Sequence, residues 1–201
     1  MRPQSSGKGP KQAKCPSHWP ANIRYLTTQH YAPTISTSVM THIKGTSRSH
    51  DGRMNRQSGR PIVAIRAIED PSHPAIGQFG LFATKRIPPH SHIVDYIGEV
   101  HSDDRPESDY DLSLYRTADG SVNVGVDASK MGNEARFVND YRRIHPKPNA
   151  AFRDGRNDAG ELCMSVWSQA DPIRKGEEIL VSYGKAWWQA RRISNELIKE
   201  A

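Results

Sequence analysis

Two stretches of sequence decide the fold of this chain. The first is Gly132-Asn133-Glu134-Ala135-Arg136-Phe137-Val138-Asn139-Asp140, and the second is Gly176-Glu177-Glu178-Ile179-Leu180-Val181-Ser182-Tyr183-Gly184. Two shorter segments precede them, Phe79-Gly80-Leu81-Phe82-Ala83 and Tyr96-Ile97-Gly98-Glu99. Any one of the four could arise by chance, but all four in this order across residues 79–184 are hard to explain by chance.

The chain from residue 61 onward predicts many short strands and little helix. Runs of β-branched and aromatic residues, separated by Pro, Gly, Asn and Asp, predict strands. These runs are 62–68, 81–84, 93–97, 110–115, 122–126, 162–167 and 178–182. Residues 140–160 are predicted as a loop, and an apolar stripe predicts a helix over 187–199. The pattern is typical of an all-β or β-rich α+β domain, with sandwich, barrel and meander all open.

Charge divides the chain into two parts. Of the 201 residues, 1–60 carry ten Lys and Arg and one acidic residue, whereas 61–201 carry a net charge of −3. Apolar residues are thinly spread in 1–60, so this part is predicted to be a basic, disordered tail, although 21–43 could supply a weak strand or a docking segment. Solubilisation, nonspecific contact with nucleic acid and nuclear targeting remain open as roles for the tail.

Cysteine usage and hydropathy exclude several classes of protein. The only cysteines, Cys15 and Cys163, cannot form a disulfide framework or a four-cysteine zinc site, and no metal site is predicted. No apolar run reaches the roughly 18 residues of a membrane span, and Met1–Lys8 lacks the apolar stretch of a secretory signal. We expect no membrane contact and a reducing compartment.

The four segments together resemble the active-site motifs of the SET domain, the fold of most protein lysine methyltransferases. The resemblance covers roughly residues 62–188, which implies a SET domain over 61–186 and a helix over 187–201 packed on it. It also implies several short β-sheets around a knot-like core, and S-adenosyl-L-methionine as cofactor. Cysteine-rich modules commonly flank SET domains, and the two cysteines here cannot supply them, so the chain resembles a divergent member.

The resemblance assigns roles residue by residue. Tyr183 matches the tyrosine of the terminal Tyr-Gly motif, which abuts the transferring methyl group, and Tyr96 matches the tyrosine that lines the lysine channel. These two residues are the implied catalytic pair. The implied cofactor-binding residues are Gln78, Phe79, Gly80, Arg136, Phe137, Asn139, Asp140 and Trp187. For each one, ordinary packing, a turn or a surface ion pair remains the alternative.

Two departures from the family pattern bear on activity. The first motif is usually Gly-x-Gly, but Gln78 stands at its first position, with Gly77 displaced by one residue. The usual Asn-His pair is Asn139-Asp140 here, and the excursion over 141–147 that follows is longer than usual. We expect this excursion to bulge outward.

The degree of methylation depends in the family on an aromatic side chain beside the acceptor nitrogen. Two positions of this chain are candidates for lining that channel, Val181 and Phe152. Val181 offers no switch, and Phe152 is hypothesised to wall the channel and permit di- or trimethylation, with plain core packing as the alternative.

The function implied is transfer of a methyl group to a protein lysine, with a histone or other basic protein tail as substrate. An acidic surface that includes Asp103, Asp104, Glu107, Asp109 and Asp111 is suited to attract such a tail. Chromatin regulation and a nuclear location follow from this class of substrate, with the cytoplasm as the alternative. The competing hypothesis is a non-catalytic SET-fold module that binds a peptide or chromatin, and the oligomeric state is left undecided.

Overall fold

The computed structural model describes residues 15–45, 62–157, 159–189 and 191. The predicted β-rich α+β class is confirmed, because short strands dominate these residues. They contain α1 (Thr37–Lys44), a 3₁₀ turn (Glu134–Phe137) and the first residues of a C-terminal helix, 185–189. In chain order the strands are β1 (Arg24–Tyr25), β2 (His30–Tyr31), β3 (Val63–Ala67), β4 (Phe79–Ala83), β5 (His92–Tyr96), β6 (Glu99–His101), β7 (Asp111–Arg116), β8 (Asn123–Asp127), β9 (Met131–Gly132), β10 (Asn139–Asp140), β11 (Ala150–Arg156), β12 (Leu162–Ser168) and β13 (Leu180–Val181).

The strands of the described residues form five small sheets. The largest has the order β2-β6-β8-β7, and the next has the order β11-β12-β5. The antiparallel pair β3-β4 carries the first motif, and two parallel pairs, β1-β9 and β10-β13, complete the set. Their inner faces share one core, in which Ile43, Leu81, Ile87, Ile173 and Ile179 are fully buried.

The last strand is positioned by side-chain contacts as well as by the backbone. In the parallel pair, Asn139 lies opposite Leu180 and Asp140 opposite Val181. Asn149 then donates from Nδ2 to the carbonyl of Glu178 at 2.7 Å and accepts from the amide of Leu180 at 2.8 Å. Asn149 stands directly before β11, so its side-chain amide ties β13 to the start of β11, while β10 holds β13 through the backbone ladder. The excursion over 141–147 is mostly exposed, as expected.

The prediction of a loop over 140–160 is wrong for its second half. β11 pairs with β12 along its whole length, from Ala150 opposite Ser168 to Arg156 opposite Leu162. Its composition of Ala, Arg, Asp and Gly has poor strand propensity, and a partner strand overrides that propensity.

The prediction of a disordered tail is wrong for residues 15–45. There β1 adds to β9 and β2 adds to β6, both in parallel, and α1 buries Ile43 completely. Ser36 caps α1 by accepting from the amide of Val39, and Arg156 donates to the carbonyls of His42 and Ile43 at its other end. The sparse apolar side chains dock on a core made by the rest of the chain. Residues 1–14 and 46–60 of the predicted tail, with its boundary near 61, lie outside the described residues.

The C-terminal helix begins at residue 185, two residues before the predicted start. Residues 185–189 and 191 are helical, and most of the predicted 187–199 helix lies outside the described residues. Within the described part of the chain, no helix is long and apolar enough to cross a membrane. The same residues contain no group of three or more His, Cys, Asp or Glu side chains arranged to hold a metal ion.

Candidate functional site

The predicted site residues converge on one cavity of about 830 Å³. Its walls come from loop 70–78, the 3₁₀ turn, β10, β7 with the loop before it, and the first turn of the C-terminal helix. Ten of the sequence-predicted site residues line it: Gln78, Phe79, Tyr96, Arg136, Phe137, Asn139, Asp140, Phe152, Tyr183 and Trp187. Gly80 and Val181 do not line it.

Two tyrosines share the cavity wall, Tyr96 buried and Tyr183 partly buried, each with its hydroxyl bound to a backbone carbonyl. Tyr183 donates to the carbonyl of Val138 at 2.7 Å, and Tyr96 donates to the carbonyl of Tyr110 at 2.7 Å. Burial raises the pKa of Tyr183, and the negative charge of Asp140 raises it further. Burial also raises the pKa of Tyr96 well above 10, with proximity to Tyr183 adding to it. Both phenols are therefore neutral at physiological pH, with oxygen lone pairs available as acceptors.

Asn139 is held by contacts that fix the orientation of its amide. Its Nδ2 donates to Glu178 Oε1 at 2.8 Å and approaches the carbonyl of Phe79 at 3.4 Å. Its backbone is at the same time paired with β13. The side chain therefore lines the cavity in one defined orientation.

Asp140, which stands where the family has His, collects donors from three parts of the chain. It is 8% exposed and accepts from the amide of Tyr183 at 2.8 Å and from indole Nε1 of Trp188 at 3.2 Å. It also accepts from the amide and Nη1 of Arg142, at 2.9 and 2.8 Å. A carboxylate with two oxygens can satisfy four donors, whereas an imidazole cannot. The Asp at this position therefore joins β10, Tyr183 and the C-terminal helix.

The backbone of the first-motif loop does not require glycine at position 78. Gly77 takes the left-handed conformation, with φ of 78°, and Gln78 does not. A Cβ at Gly80 would lie 2.5 Å from Glu178 Oε1, so the close approach that requires glycine occurs there. The side chain of Gln78 is exposed, and the backbone amide of Gln78 donates to the carbonyl of Ala75 at 3.0 Å.

Aromatic and cationic groups form the other side of the cavity. The rings of Phe79 and Phe137 meet edge to face, and Trp19 from the N-terminal segment packs edge to face on Phe137 at 5.7 Å. The guanidinium of Arg136 lies 4.3 Å from the ring centre of Tyr110 and donates to the carbonyl of Ala128. Trp19 was not predicted as part of the site, because its contact with Phe137 joins residues more than a hundred positions apart.

The candidate channel residues differ in placement. The ring of Phe152 meets that of Tyr96 edge to face at 5.8 Å, and both rings line the cavity. Val181 is fully buried in β13, so its side chain belongs to the core and does not line the channel.

The two tryptophans of the C-terminal helix sit differently. The ring of Trp187 packs on Tyr183 at 4.9 Å, and its indole nitrogen is buried without a hydrogen-bond partner among the described residues. Trp188 binds Asp140 through its nitrogen and stacks under the guanidinium of Arg142. Both lie at the cavity wall.

Sequence reasoning gave no role to Glu178 or His73. Glu178 is the second Glu of the Gly-Glu-Glu segment, and His73 is the one buried residue among residues 69–79. Both carry side chains that bind across the molecule. The sequence signal available was only a carboxylate at the start of a buried strand, where an unpaired charge would be costly.

A family model described as SET domain matches residues 78–184, which is more than half of the chain. The chain therefore belongs to the SET-domain family. Over 185 residues it is 27% identical to a Schizosaccharomyces pombe protein named histone-lysine N-methyltransferase, H3 lysine-4 specific, with 76% of this chain and 19% of that protein covered. The chain thus spans about a fifth of the length of this relative.

Among solved structures, the chain is similar to the Polycomb Repressive Complex 2 of Chaetomium thermophilum. One structure, bound to GSK126, is 20% identical over 67% of this chain and 17% of that chain, with a TM-score of 0.50. Another, an apo form with two substitutions, is 22% identical over 66% of this chain and 16% of that chain, with a TM-score of 0.49. Likeness at these identities concerns the fold alone.

Proposed function

We propose that this protein is an S-adenosylmethionine-dependent protein lysine N-methyltransferase. The observation that carries the proposal is the pair of neutral phenols, Tyr183 and Tyr96, fixed by backbone carbonyls on the wall of one cavity beside Asn139. Membership of the SET-domain family and the named activity of the Schizosaccharomyces pombe relative support it.

The residues present fit the cofactor. A cavity of about 830 Å³ falls within the range of roughly 300–1,000 Å³ typical of small-molecule sites. The buried Nε1 of Trp187 is a donor that needs an acceptor, and the rings of Phe79, Phe137 and Trp187 suit an adenine base. Loop 70–78 and Asn139 would hold its polar end. When bound, the cofactor would supply an electrophilic methyl group on a sulfonium, which becomes a thioether as the methyl carbon bonds to the lysine nitrogen.

The chain's own residues would prepare the lysine amine for this reaction. A lysine ammonium has a pKa near 10.4, and burial among the rings of Tyr96, Phe152 and Tyr183 lowers the pKa of an amine by disfavouring its charge. The proton is then given up to water. Because each phenol donates its hydrogen to a carbonyl, its oxygen is left to accept from the amine N–H and aim the nitrogen lone pair. Positioning of this kind supplies most of the acceleration.

The substrate proposed is a basic protein tail, such as that of a histone. Asp109 and Asp111 line the cavity, and a cationic residue beside the target lysine would compete with Arg191 for the carboxylate of Asp109. Phe152 beside Tyr96 leaves the earlier hypothesis in place, that the site permits di- or trimethylation. A nuclear location follows from this class of substrate.

The test is calorimetric titration of S-adenosylmethionine into the full chain, with Tyr183→Phe and Asn139→Ala alongside. The full chain is needed because β1 and β2 pair with strands of the domain. We expect micromolar binding that survives Tyr183→Phe and is lost in Asn139→Ala, followed by transfer of radiolabelled methyl to histones. A well-folded wild-type chain that binds no S-adenosylmethionine would refute the proposal and favour the non-catalytic binding module.

A further inference from the structure

A buried carboxylate lies behind the cavity wall and holds two of its lining residues. The side chains of His73 and Glu178 are 8% and 9% exposed, and His73 Nε2 lies 3.1 Å from Glu178 Oε2. The other oxygen, Oε1, accepts from Asn139 Nδ2 at 2.8 Å. His73 belongs to loop 70–78 and Asn139 to β10, so one carboxylate joins two separate walls of the cavity.

The hydrogen-bond directions at this carboxylate are fixed by its neighbours. His73 Nδ1 accepts from the amide of Ala75 at 3.0 Å, so a neutral His73 carries its proton on Nε2 and donates to Glu178. Asn139 also donates through its NH₂ group. Glu178 therefore faces two donors, which a carboxylate satisfies with its two oxygens and a carboxamide, with one oxygen, cannot.

The same carboxylate explains the glycine of the first motif. Gly80 does not line the cavity, yet a Cβ there would lie 2.5 Å from Glu178 Oε1. The glycine makes room for the carboxylate against β4. Gly80, Asn139 and Glu178 come from three of the four sequence segments and meet at one point.

We propose that Glu178, held by His73, is a positioning residue for the cofactor site. With Nδ2 of Asn139 bound to Glu178, the amide cannot turn over, so its Oδ1 keeps one orientation at the cavity. The His73 contact holds loop 70–78 against the same cavity. The identity of the ligand rests on the proposed function, whereas the orientation of Asn139 and of the loop does not.

The test compares calorimetric affinities for S-adenosylmethionine among wild type, Glu178→Gln, His73→Leu, and Glu178→Gln combined with His73→Gln. Loss of a buried hydrogen bond to a charged group is expected to weaken affinity about tenfold in each single variant. In the double variant the new amide at position 73 can turn its oxygen toward the NH₂ at position 178. We therefore expect the double variant to bind more tightly than Glu178→Gln alone.

The matched control is Glu177→Gln, the neighbouring Glu, which is exposed and pairs with Arg174. It should bind as wild type does. Equal affinity of wild type and Glu178→Gln, or a double variant weaker than Glu178→Gln, would overturn the proposal while leaving the proposed function standing.

A ligand-free measurement separates the two ideas. In the NMR spectrum of the apo protein, the side-chain amide signals of Asn139 should shift in Glu178→Gln and return toward their wild-type positions in the double variant. If the wild type binds no S-adenosylmethionine but the Asn139 signals of the variants follow this pattern, the proposed function is refuted and the positioning role is supported. Unmoved Asn139 signals in Glu178→Gln would refute the positioning role on their own.

Discussion

The hydroxyl of Tyr183 can act toward a ligand only as a hydrogen-bond acceptor, because it donates its hydrogen to the carbonyl of Val138. In Tyr183→Phe the ring and its contact with Trp187 remain, and the variant loses the hydroxyl, with its bond to Val138 and the oxygen proposed to accept from the amine. We expect the rate of methyl transfer to fall about 100-fold, the scale for removal of one preorganised polar group, with cofactor affinity largely unchanged.

Radiolabelled methyl transfer under saturating cofactor measures this effect. Tyr115→Phe is the matched control, since the ring of Tyr115 contacts His42 and does not line the cavity. Transfer by Tyr183→Phe at the wild-type rate would remove Tyr183 from the mechanism.

Asp140, which binds the amide of Tyr183, replaces the usual His of the motif with a side chain that makes its own set of hydrogen bonds. Its carboxylate binds the amide of Tyr183, two groups of Arg142 and the indole of Trp188. Asp140→Ala leaves these donors unpaired, and we expect a loss of about 2–3 kcal/mol in the free energy of unfolding. Asp140→Asn keeps one acceptor oxygen and should lose less.

Urea unfolding of both Asp140 variants measures these losses. Asp171→Ala serves as a control, because Asp171 is an exposed partner of Lys147 and its removal should change little. An Asp140→Ala variant as stable as wild type would show that Asp140 does not hold the site together.

Among the elements, those that follow their own sequence pattern were predictable and those that depend on a partner were not. β3, β5 and β12 are rich in β-branched and aromatic residues, and they form where the pattern predicts them. β11 has no such pattern and exists because β12 pairs with all seven of its residues. Glu178 was missed for the same reason, since its partners His73 and Asn139 are brought to it by the fold.

The end of β8 is stabilised by a carboxylate whose pKa responds to folding. Burial of Asp127 alone would raise the pKa, but hydrogen bonds from Ser129, Ser108 and Arg105 outweigh it and lower the pKa below its usual value. A carboxyl with a depressed pKa stabilises the fold above its unfolded pKa, near 3.9, and loses that contribution as pH falls through the folded pKa.

Asp127→Asn should therefore be less stable than wild type at pH 6, and the difference in stability should narrow as pH falls below about 4, because the unfolded chain takes up the Asp127 proton before the folded protein does. Urea unfolding at intervals from pH 6 to pH 3 measures the difference. A gap that stays constant over this range would show that Asp127 is not linked to acid unfolding.

For the molecule as a whole, amino-acid composition gave the wrong prediction for part of the N-terminal segment, because the structure of that part depends on where it packs. Residues 1–60 have the charge and the sparse apolar content of a tail, and 15–45 nevertheless add strands to two sheets. Gln29 also binds the backbone of the segment 96–99. It donates to the carbonyl of Tyr96 at 2.8 Å and accepts from the amide of Gly98 at 2.9 Å. Residues 15–45, which have no core of their own, thus complete the core of the domain that follows them and bind a residue of its cavity wall.

This architecture predicts that the N-terminal segment and the SET domain unfold as one unit. Deletion of residues 1–45 removes the buried side chains of Leu26, Ile35 and Ile43, each worth about 1.5–3 kcal/mol, against a total stability of only about 5–15 kcal/mol for a typical domain. We expect a large fall in the thermal midpoint or loss of folding, measured by circular dichroism and calorimetry. Deletion of 1–14 is the control, since all of these contacts lie after residue 14, and it should leave the midpoint unchanged. A 46–201 fragment with the wild-type thermal midpoint would mean that residues 15–45 are dispensable for the fold. The hydrogen bond from Gln29 to the carbonyl of Tyr96 would then not contribute to stability.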